Sequence, residues 1–349
     1  MAGRDDQSRR MTINDVARLA NVSKKTISRV INKSPLLKQE TRDKVLKIID
    51  EIGYQPDPQA RGLAFRRSFL IALIHDNPNA QYVIDIQQGI IDVIRGSGFE
   101  LVVYPCHRRH PAFLSDIKNF VERQRLAGVV LPPSVSEDEE LIRLFEKISC
   151  PYARIASVSL DLAPRMVVTH DHLGAAQAAR HLADLGHRLI GLISGPSSFR
   201  SAHERHRGLS EGLADYGLSL DERYHIEGGY TFESGILCAK HLLSLAPRPT
   251  AIFAGNDEMA AGVYRAAHEA GLDIPGDLSV VGFDDSPIVS KVWPPLTSVR
   301  LPIRDMGAIA AGKLLTQIAE VPAERDSSVS PVLVVRQSTC IPAHQNPSG

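Results

Sequence analysis

The sequence predicts a chain in two parts: an N-terminal all-α helix-turn-helix headpiece and an α/β core of two Rossmann-like subdomains. Three observations carry this. Apolar residues recur at helical spacing in three short segments between Thr12 and Ile52. From Phe69 onward, short β-branched runs alternate with amphipathic helical stretches. Charge also divides between the two parts. The 349 residues hold 40 Lys+Arg and 40 Asp+Glu, yet residues 1–67 carry 15 against 8, leaving 25 against 32 in the other 282. A basic head on an acidic body indicates a polyanion-binding module attached to a domain with a different task.

Thr12, with Asp15 three positions on, caps a first helix in which Ile13, Val16, Ala17 and Ala20 form one face and which stops near Asn21. Ser23 caps a second helix, Lys24 to Asn32. Ile27, Val30 and Ile31 turn inward there, while Lys24, Lys25, Ser28 and Arg29 point out. A third, about Gln39 to Ile52, places Val45, Ile48, Ile49 and Ile52 on one face and ends at Gly53. Two short helices joined by a tight turn, the second cationic, make a helix-turn-helix. Tyr54 to Arg67 contains two prolines and a glycine and reads as a linker.

Eight β-branched runs follow: Leu70 to Ile74, Leu101 to Tyr104, Val129 to Leu131, Ala153 to Ala156, Met166 to Thr169, Leu189 to Ile193, Ala251 to Ala254 and Leu278 to Phe283. Helical stretches such as Val83 to Ser97, Gly174 to Leu185, Ser234 to Ser244 and Glu258 to Ala270 lie between them. Runs apolar on both faces and alternating with helices imply parallel sheets with helical crossovers, and eight units imply two subdomains. Ligands of such sheets bind at the carboxyl ends of strands, where this chain places polar residues: Asp76-Asn77, His170-Asp171, Ser194, Asn256-Asp257 and Asp284-Asp285. No run is apolar and long enough to span a membrane and no signal peptide opens the chain, so a cytoplasmic protein is expected. Cys106, Cys150, Cys238 and Cys340 are too widely spaced for a metal site or a disulfide framework and read as buried thiols.

The chain resembles the lactose-repressor (LacI/GalR) family of bacterial transcription regulators. The resemblance rests on TINDVARLANVSKKTISRVIN (Thr12 to Asn32), GYQPDPQARGLA (Gly53 to Ala64), LGHRLIGLISGP (Leu185 to Pro196), AIFAGNDEMAAG (Ala251 to Gly262), DLSVVGFDD (Asp277 to Asp285) and PPLTSVR (Pro294 to Arg300). It implies a core like that of periplasmic sugar-binding proteins and a homodimer whose affinity for a pseudo-palindromic double-stranded DNA operator changes with a small effector. The division it implies is a disordered extension (1–11), a headpiece (12–55), a hinge (56–68), a core (69–340) and a tail (341–349). Within the core the first subdomain covers about 69–165 and 299–325, the second about 166–298 and 326–340. The tail has no heptad, so a dimer rather than a tetramer is expected.

In the headpiece, Lys24, Lys25 and Arg29 are suited to read base edges in the major groove, and Ser23, Thr26, Ser28 and Asn32 to contact backbone phosphates. In the hinge, the resemblance implies that Asp57 to Ala64 folds on the operator, with Ala60, Arg61 and Leu63 in the minor groove and Leu63 as an apolar wedge. Gly62 disfavours that helix without DNA. In the core, Arg205, Tyr230, Asn256 and Asp284 match the family's effector contacts and form a plausible polyol clamp. The first half departs from the family pattern around Asp76 and His170, and there Asp76, Asn79, Tyr82 and Asp171 are the candidate contacts.

The expected function is a sequence-specific transcription regulator, a repressor controlled by a sugar or glycoside. A purine or other non-sugar effector or corepressor is the main alternative. An α/β enzyme acting on a sugar is the distant one, since GxSxG, P-loop, GxGxxG and HExxH motifs are all absent and His203-Glu204-Arg205-His206 has the wrong spacing for a zinc helix. A periplasmic binding protein explains the core alone but not the basic helix-turn-helix. Neither a catalytic residue, a cofactor, a metal nor a membrane contact is expected.

Overall fold

The computed structural model describes residues 11–31, 37–54, 68–319 and 328–343. Asn32, the hinge candidates Ala60, Arg61 and Leu63, nearly all of the N-terminal extension and residues 344–349 of the tail lie outside the described residues, as does the side chain of Ser28. Two compact units are present, dividing at Phe69 and Leu70.

The first unit contains α1 (Ile13–Ala20), α2 (Lys24–Ile31) and α3 (Gln39–Glu51). The backbone N–H and the hydroxyl of Thr12 both donate to the Asp15 carboxylate, at 3.0 and 2.7 Å, which fixes the start of α1. Asn21 ends it in the left-handed conformation, φ 51°. The Ser23 hydroxyl accepts from the Thr26 N–H at 3.1 Å and caps α2. Val16, Ala20, Ile27, Val30, Val45 and Tyr54 are buried together. Tyr54, read above near the start of the linker, therefore belongs to the headpiece core.

The second unit is built on two sheets. The first has strand order β2-β1-β3-β4-β5, all parallel. Its strands are β1 (Leu70–His75), β2 (Glu100–Pro105), β3 (Gly128–Leu131), β4 (Tyr152–Ala156) and β5 (Met166–Val168). Around it lie α4 (Ala80–Ile94), α5 (Phe113–Gln124) and α6 (Glu139–Lys147). The second sheet has the order β11-β10-β9-β8-β6-β7 and is parallel except for β10 against β11. It contains β6 (Ile190–Ser194), β7 (His225–Glu227), β8 (Ala251–Ala254), β9 (Ser279–Asp284), β10 (Thr297–Arg300) and β11 (Val332–Val334). Its helices are α7 (Asp171–Asp184), α8 (Arg200–Ala214), α9 (Phe232–Ser244) and α10 (Asp257–Glu269). A last helix, α11 (Ile303–Ala319), returns to pack on α4, β3 and β4 of the first sheet.

The central strands are apolar runs because helices cover both of their faces: Ile71, Ala72, Leu73 and Ile74 of β1 are wholly buried. The subdomain boundary differs from the expected one in two places. Met166–Val168 pairs with β4 and is an edge strand of the first sheet, not part of the second subdomain. Thr297–Arg300 lies wholly in the second sheet, beside β9, so Val299 and Arg300 leave the first subdomain. The chain thus passes between the sheets after Val168, after Arg300 and again between α11 and β11. The first and third passages lie side by side, the Val329 N–H donating to the Val168 carbonyl at 3.0 Å.

All four cysteines are free. Cys150 and Cys238 are buried as expected, whereas Cys106 and Cys340 are only partly so. Among the described residues no helix is long and apolar enough to cross a membrane.

The contact that fixes the position of α8 is its crossing with α7. A Cβ on Gly208 would lie 2.0 Å from the His172 carbonyl oxygen, a backbone atom that cannot swing aside. Gly208→Ala is therefore expected to force α8 away from α7 and to destabilise the core by about 1–3 kcal/mol. Urea unfolding checks this, and an unchanged midpoint would contradict the close crossing.

Candidate functional site

The second helix of the headpiece has the two faces its sequence requires. Ile27 and Val30 are buried, while Lys24, Lys25 and Arg29 are exposed and have no ion-pair partner among the described residues. Ser23 is exposed and Thr26 half-buried at the start of α2, their hydroxyls 2.9 Å apart. The result is a helix with an apolar anchor and an uncompensated cationic outer face.

In the core, a small cavity of about 20 Å³ lies between the subdomains at the carboxyl ends of the strands, with room for about one solvent molecule. Asn77, Asn79, Tyr82 and Pro133 line it from the first subdomain, and Asp171, Arg205, Tyr230, Asn256 and Asp284 from the second. Seven of the eight effector candidates are thus brought together. Asp76 is not: its carboxylate accepts from the Ser134 hydroxyl and from Arg108 Nε at 2.9 Å, and it does not line the cavity. Asn77 takes its place there. The shift arises because Arg108 supplies a charge partner on the far side of the loop after β1.

Arg205 is the centre of the site. It is 6% exposed and donates through Nε to Asp171 at 2.8 Å, through one terminal nitrogen to the Gly255 carbonyl, and through the other to Asp284 at 3.5 Å. Its guanidinium carbon also sits 3.8 Å from the centroid of the Phe283 ring. The Thr169 hydroxyl holds the second oxygen of Asp171. Burial pushes the Asp284 carboxyl up to about 7 against the opposing pull of Arg205, with the nearby Asp171 charge adding to the rise.

The turn after β9 is strained to present that carboxylate. Asp284 and Asp285 have φ of 105° and 56°, both in the region that L side chains rarely adopt. Two supports hold the turn. Asp285 accepts from Arg300 at 2.7 Å and Arg336 at 2.6 Å. Asp257, wholly buried, accepts from the Ser298 hydroxyl at 2.5 Å and from the Ser286 N–H at 2.7 Å. Burial, with the charge of Asp284 adding to it, holds the Asp257 carboxyl well above the usual range.

Asn256 caps α10: its side-chain oxygen accepts from the Met259 N–H at 2.9 Å, and its amide donates to the Tyr230 carbonyl at 3.0 Å. It lines the cavity, but its first task is to hold Tyr230, which itself has φ 60°. The Tyr230 ring stands edge-on to Phe199, with centroids 5.3 Å apart and an interplanar angle of 88°. From the other subdomain, Asn79 caps α4 by accepting from the Tyr82 N–H at 3.2 Å. The Tyr82 hydroxyl is buried without a hydrogen-bond partner among the described residues. Burial, then the charges of Asp171 and Asp284, push that phenol above its ordinary value.

Two hydrogen bonds join the subdomains beside the cleft. Arg108, from the first subdomain, donates to the Ser198 carbonyl of the second at 3.0 Å, and the Glu137 carboxylate accepts from the Arg200 N–H at 3.1 Å. Arg108 and Phe199 went unnoticed in the sequence, whereas Asp257 was seen only as a polar strand-end residue and Phe283 only as the end of a strand. For Asp257 and Phe283 a signal existed, since each adjoins a picked residue in Asn256-Asp257 and Phe283-Asp284; for Arg108 and Phe199 there was none.

The raised Asp284 carboxyl gives a pH prediction. Because its folded value lies above the ordinary carboxylate value, its contribution to stability is fully present below about pH 4 and is lost as pH rises through about 7. Asp284→Asn removes the titration. Between pH 4 and 8 the unfolding free energy of the parent is expected to fall relative to that variant by on the order of 3 kcal/mol. Parallel stability profiles would contradict the burial of an ionisable group here.

Comparison with known proteins supplies the frame for these two sites. Residues 12–57 match the model for bacterial regulatory proteins of the lacI family, and residues 179–339 the model for a periplasmic binding protein-like domain. Catabolite control protein A of Priestia megaterium is 34% identical over 309 residues, which is 88% of this chain and 92% of that protein. The chain belongs to the LacI family. Among solved LacI-family structures, a lac repressor dimer bound to operator and the anti-inducer ONPF is similar with a TM-score of 0.77 and 29% identity, covering 95% of this chain and all of that one. The transcriptional regulator CelR in complex with cellobiose is similar with a TM-score of 0.71 and 30% identity, covering 94% of this chain and all of that one.

Proposed function

We propose that this protein is a sequence-specific DNA-binding repressor that works as a homodimer, its operator affinity set by a neutral sugar or glycoside bound in the cleft, and that it acts by binding rather than turnover. On the DNA side the supporting observation is the cationic outer face of α2. Lys24, Lys25 and Arg29 read base edges, while Ser23, Thr26, Ser28 and Asn32 position the helix on phosphates. Ala60, Arg61 and Leu63 of the hinge take the minor groove.

On the effector side the observation that carries the reading is the unpartnered Tyr82 hydroxyl, buried in the same cavity as the Asp171–Arg205–Asp284 cluster. A buried hydroxyl without a partner costs about 1–3 kcal/mol, and a ligand hydroxyl removes that cost. Asp171 and Asp284 offer acceptors to further hydroxyls, and Tyr230 and Phe199 an apolar wall. Arg205 is the sole cation lining the cavity among the described residues, and it is already bound to carboxylates. This disfavours anionic ligands. The perpendicular Tyr230 and Phe199 rings do not form the parallel slot that a planar purine would fill.

A sugar ring needs more room than one water, so it enters with the subdomains apart, and the Arg108–Ser198 and Glu137–Arg200 contacts form on closure. The ligand changes DNA affinity only through its different affinity for the open and closed arrangements, which the dimer passes to its two headpieces.

Calorimetry against a panel of neutral mono- and disaccharides, sugar phosphates and purine bases tests the effector class. A neutral sugar is expected to bind and Tyr82→Phe to weaken it by about 1 kcal/mol; binding of only the phosphates or purines would overturn the proposal. Light scattering is expected to give a dimer.

A further inference from the structure

Outside the cleft, a second group of chemistry-bearing side chains converges at the edge of the second sheet. His206 lies on α8, Glu222 in a single turn of 3-10 helix (Glu222–Tyr224), and His225 at the start of β7. One ligand atom from each lies within 4.8 Å of the other two, and His225 Nδ1 is 3.8 Å from Glu222 Oε2. The two imidazole rings are 4.9 Å apart between centroids. None of the three lines the cleft cavity.

We propose that His206, Glu222 and His225 bind a divalent transition metal ion of the zinc class. Two imidazoles and one carboxylate are a donor set that suits zinc, nickel or copper and not magnesium or calcium, which prefer all-oxygen sites. Three protein ligands leave a fourth position for water.

A second observation points the same way. The far nitrogen of His225, Nε2, is 2.9 Å from the Ser194 hydroxyl, which in turn reaches the Ile226 carbonyl at 3.5 Å. A partner on the far nitrogen is the arrangement that orients a metal-bound histidine and fixes its tautomer. It leaves Nδ1 turned toward Glu222. Zn–N and Zn–O bonds of about 2.0–2.2 Å bring donors to about 3–4 Å from one another. The 3.8 Å between His225 Nδ1 and Glu222 Oε2 already lies in that range, and the exposed side chain of Glu222 is free to adjust toward His206. The ligands are separated by 16 and 3 positions along the chain, so no compact motif announces them, and the wrong spacing of His203-Glu204-Arg205-His206 is irrelevant to a site completed by another element. The ion would tie β7 to α8 one residue after Arg205.

The test is isothermal titration of the full chain with ZnCl2, alongside the electron paramagnetic resonance spectrum of one added equivalent of Cu2+. One zinc per chain is expected, and a copper spectrum with two coupled nitrogens. His206→Ala and His225→Ala should each lower the affinity at least about tenfold and leave one coupled nitrogen, and Glu222→Gln should weaken zinc binding while keeping both nitrogens. If His225→Ala unfolds through loss of the Ser194 contact, the His206 and Glu222 variants decide the matter, Glu222 being exposed and His206 half-buried. Absence of saturation at about 0.1 mM zinc, or an isotherm and spectrum unchanged in His206→Ala and Glu222→Gln, overturns the site.

Discussion

Arg205→Met is expected to destabilise the core by about 3–5 kcal/mol and to abolish binding in the cleft. The side chain is almost wholly buried and is the cation between Asp171 and Asp284. Removing it leaves two carboxylates of like charge facing each other in a site with room for one water, and leaves the Gly255 carbonyl without its guanidinium donor. The cost comes from stranding those charges rather than from losing a favourable pair, because the pair itself is partly cancelled by desolvation. A triple variant, Arg205→Met with Asp171→Asn and Asp284→Asn, should therefore recover much of the stability while still failing to bind ligand. Arg205→Lys should keep the fold better than Met, yet lose the fork that reaches Asp171, Gly255 and Asp284 at once. Urea unfolding and calorimetry read both effects. A loss below about 1 kcal/mol in the single variant would mean that water reaches the carboxylates and that the site is not closed.

The second large effect is at the other end of the chain. Lys24→Ala with Arg29→Ala is expected to weaken specific DNA binding by about 1–3 kcal/mol for each lost base contact and to flatten the dependence on salt. Both side chains are exposed and make no ion pair among the described residues, so the headpiece core of Val16, Ile27, Val30 and Val45 should be unaffected. Cleft binding should also be unchanged. Fluorescence anisotropy on labelled DNA at several salt concentrations separates the two parts. Loss of sugar binding in this double variant would contradict the division of labour between headpiece and core.

Apart from Tyr54, the described headpiece was legible in the sequence, because its helices are short, capped and amphipathic: Thr12, Ser23 and Gly53 mark their ends, and Ile27 and Val30 their buried face. The core was legible where strands are continuous apolar runs, as in β1 and β8, and obscure where they are not. β7, β10 and β11 have three or four residues each, and polar members such as His225, Thr297 and Ser298 hide them. α8 was missed for a different reason. Of the face it buries only Leu209 and Leu213 are large and apolar; the rest, Ser201, Ala202, Arg205, Gly208 and Gly212, are small or charged residues set by the close approach of α7 and by the cleft, so the apolar stripe is short and confined to the C-terminal half.

In the site, residues directly after a strand were foreseeable, since strand ends converge in such folds: Asn79, Asp171, Asn256 and Asp284 all line the cavity. Asp76 failed that rule because Arg108, thirty-two positions away, captures its carboxylate. Partners brought in by tertiary structure have no mark in local sequence; Phe283 under Arg205 and Asp257 under the Asp284 turn adjoin candidate residues, but nothing local shows what they touch.

The proposed repressor couples a DNA-reading helix to a ligand cleft in one chain. The decisive measurement is the anisotropy of the full chain on DNA from upstream of its own gene, titrated with the neutral sugar found by calorimetry. Salt-dependent binding tighter than to scrambled DNA is expected, shifted at least about fivefold by the sugar in the parent and not in Arg205→Lys. Equal affinity for both DNAs, or an operator affinity indifferent to a sugar that demonstrably fills the cleft, would contradict it.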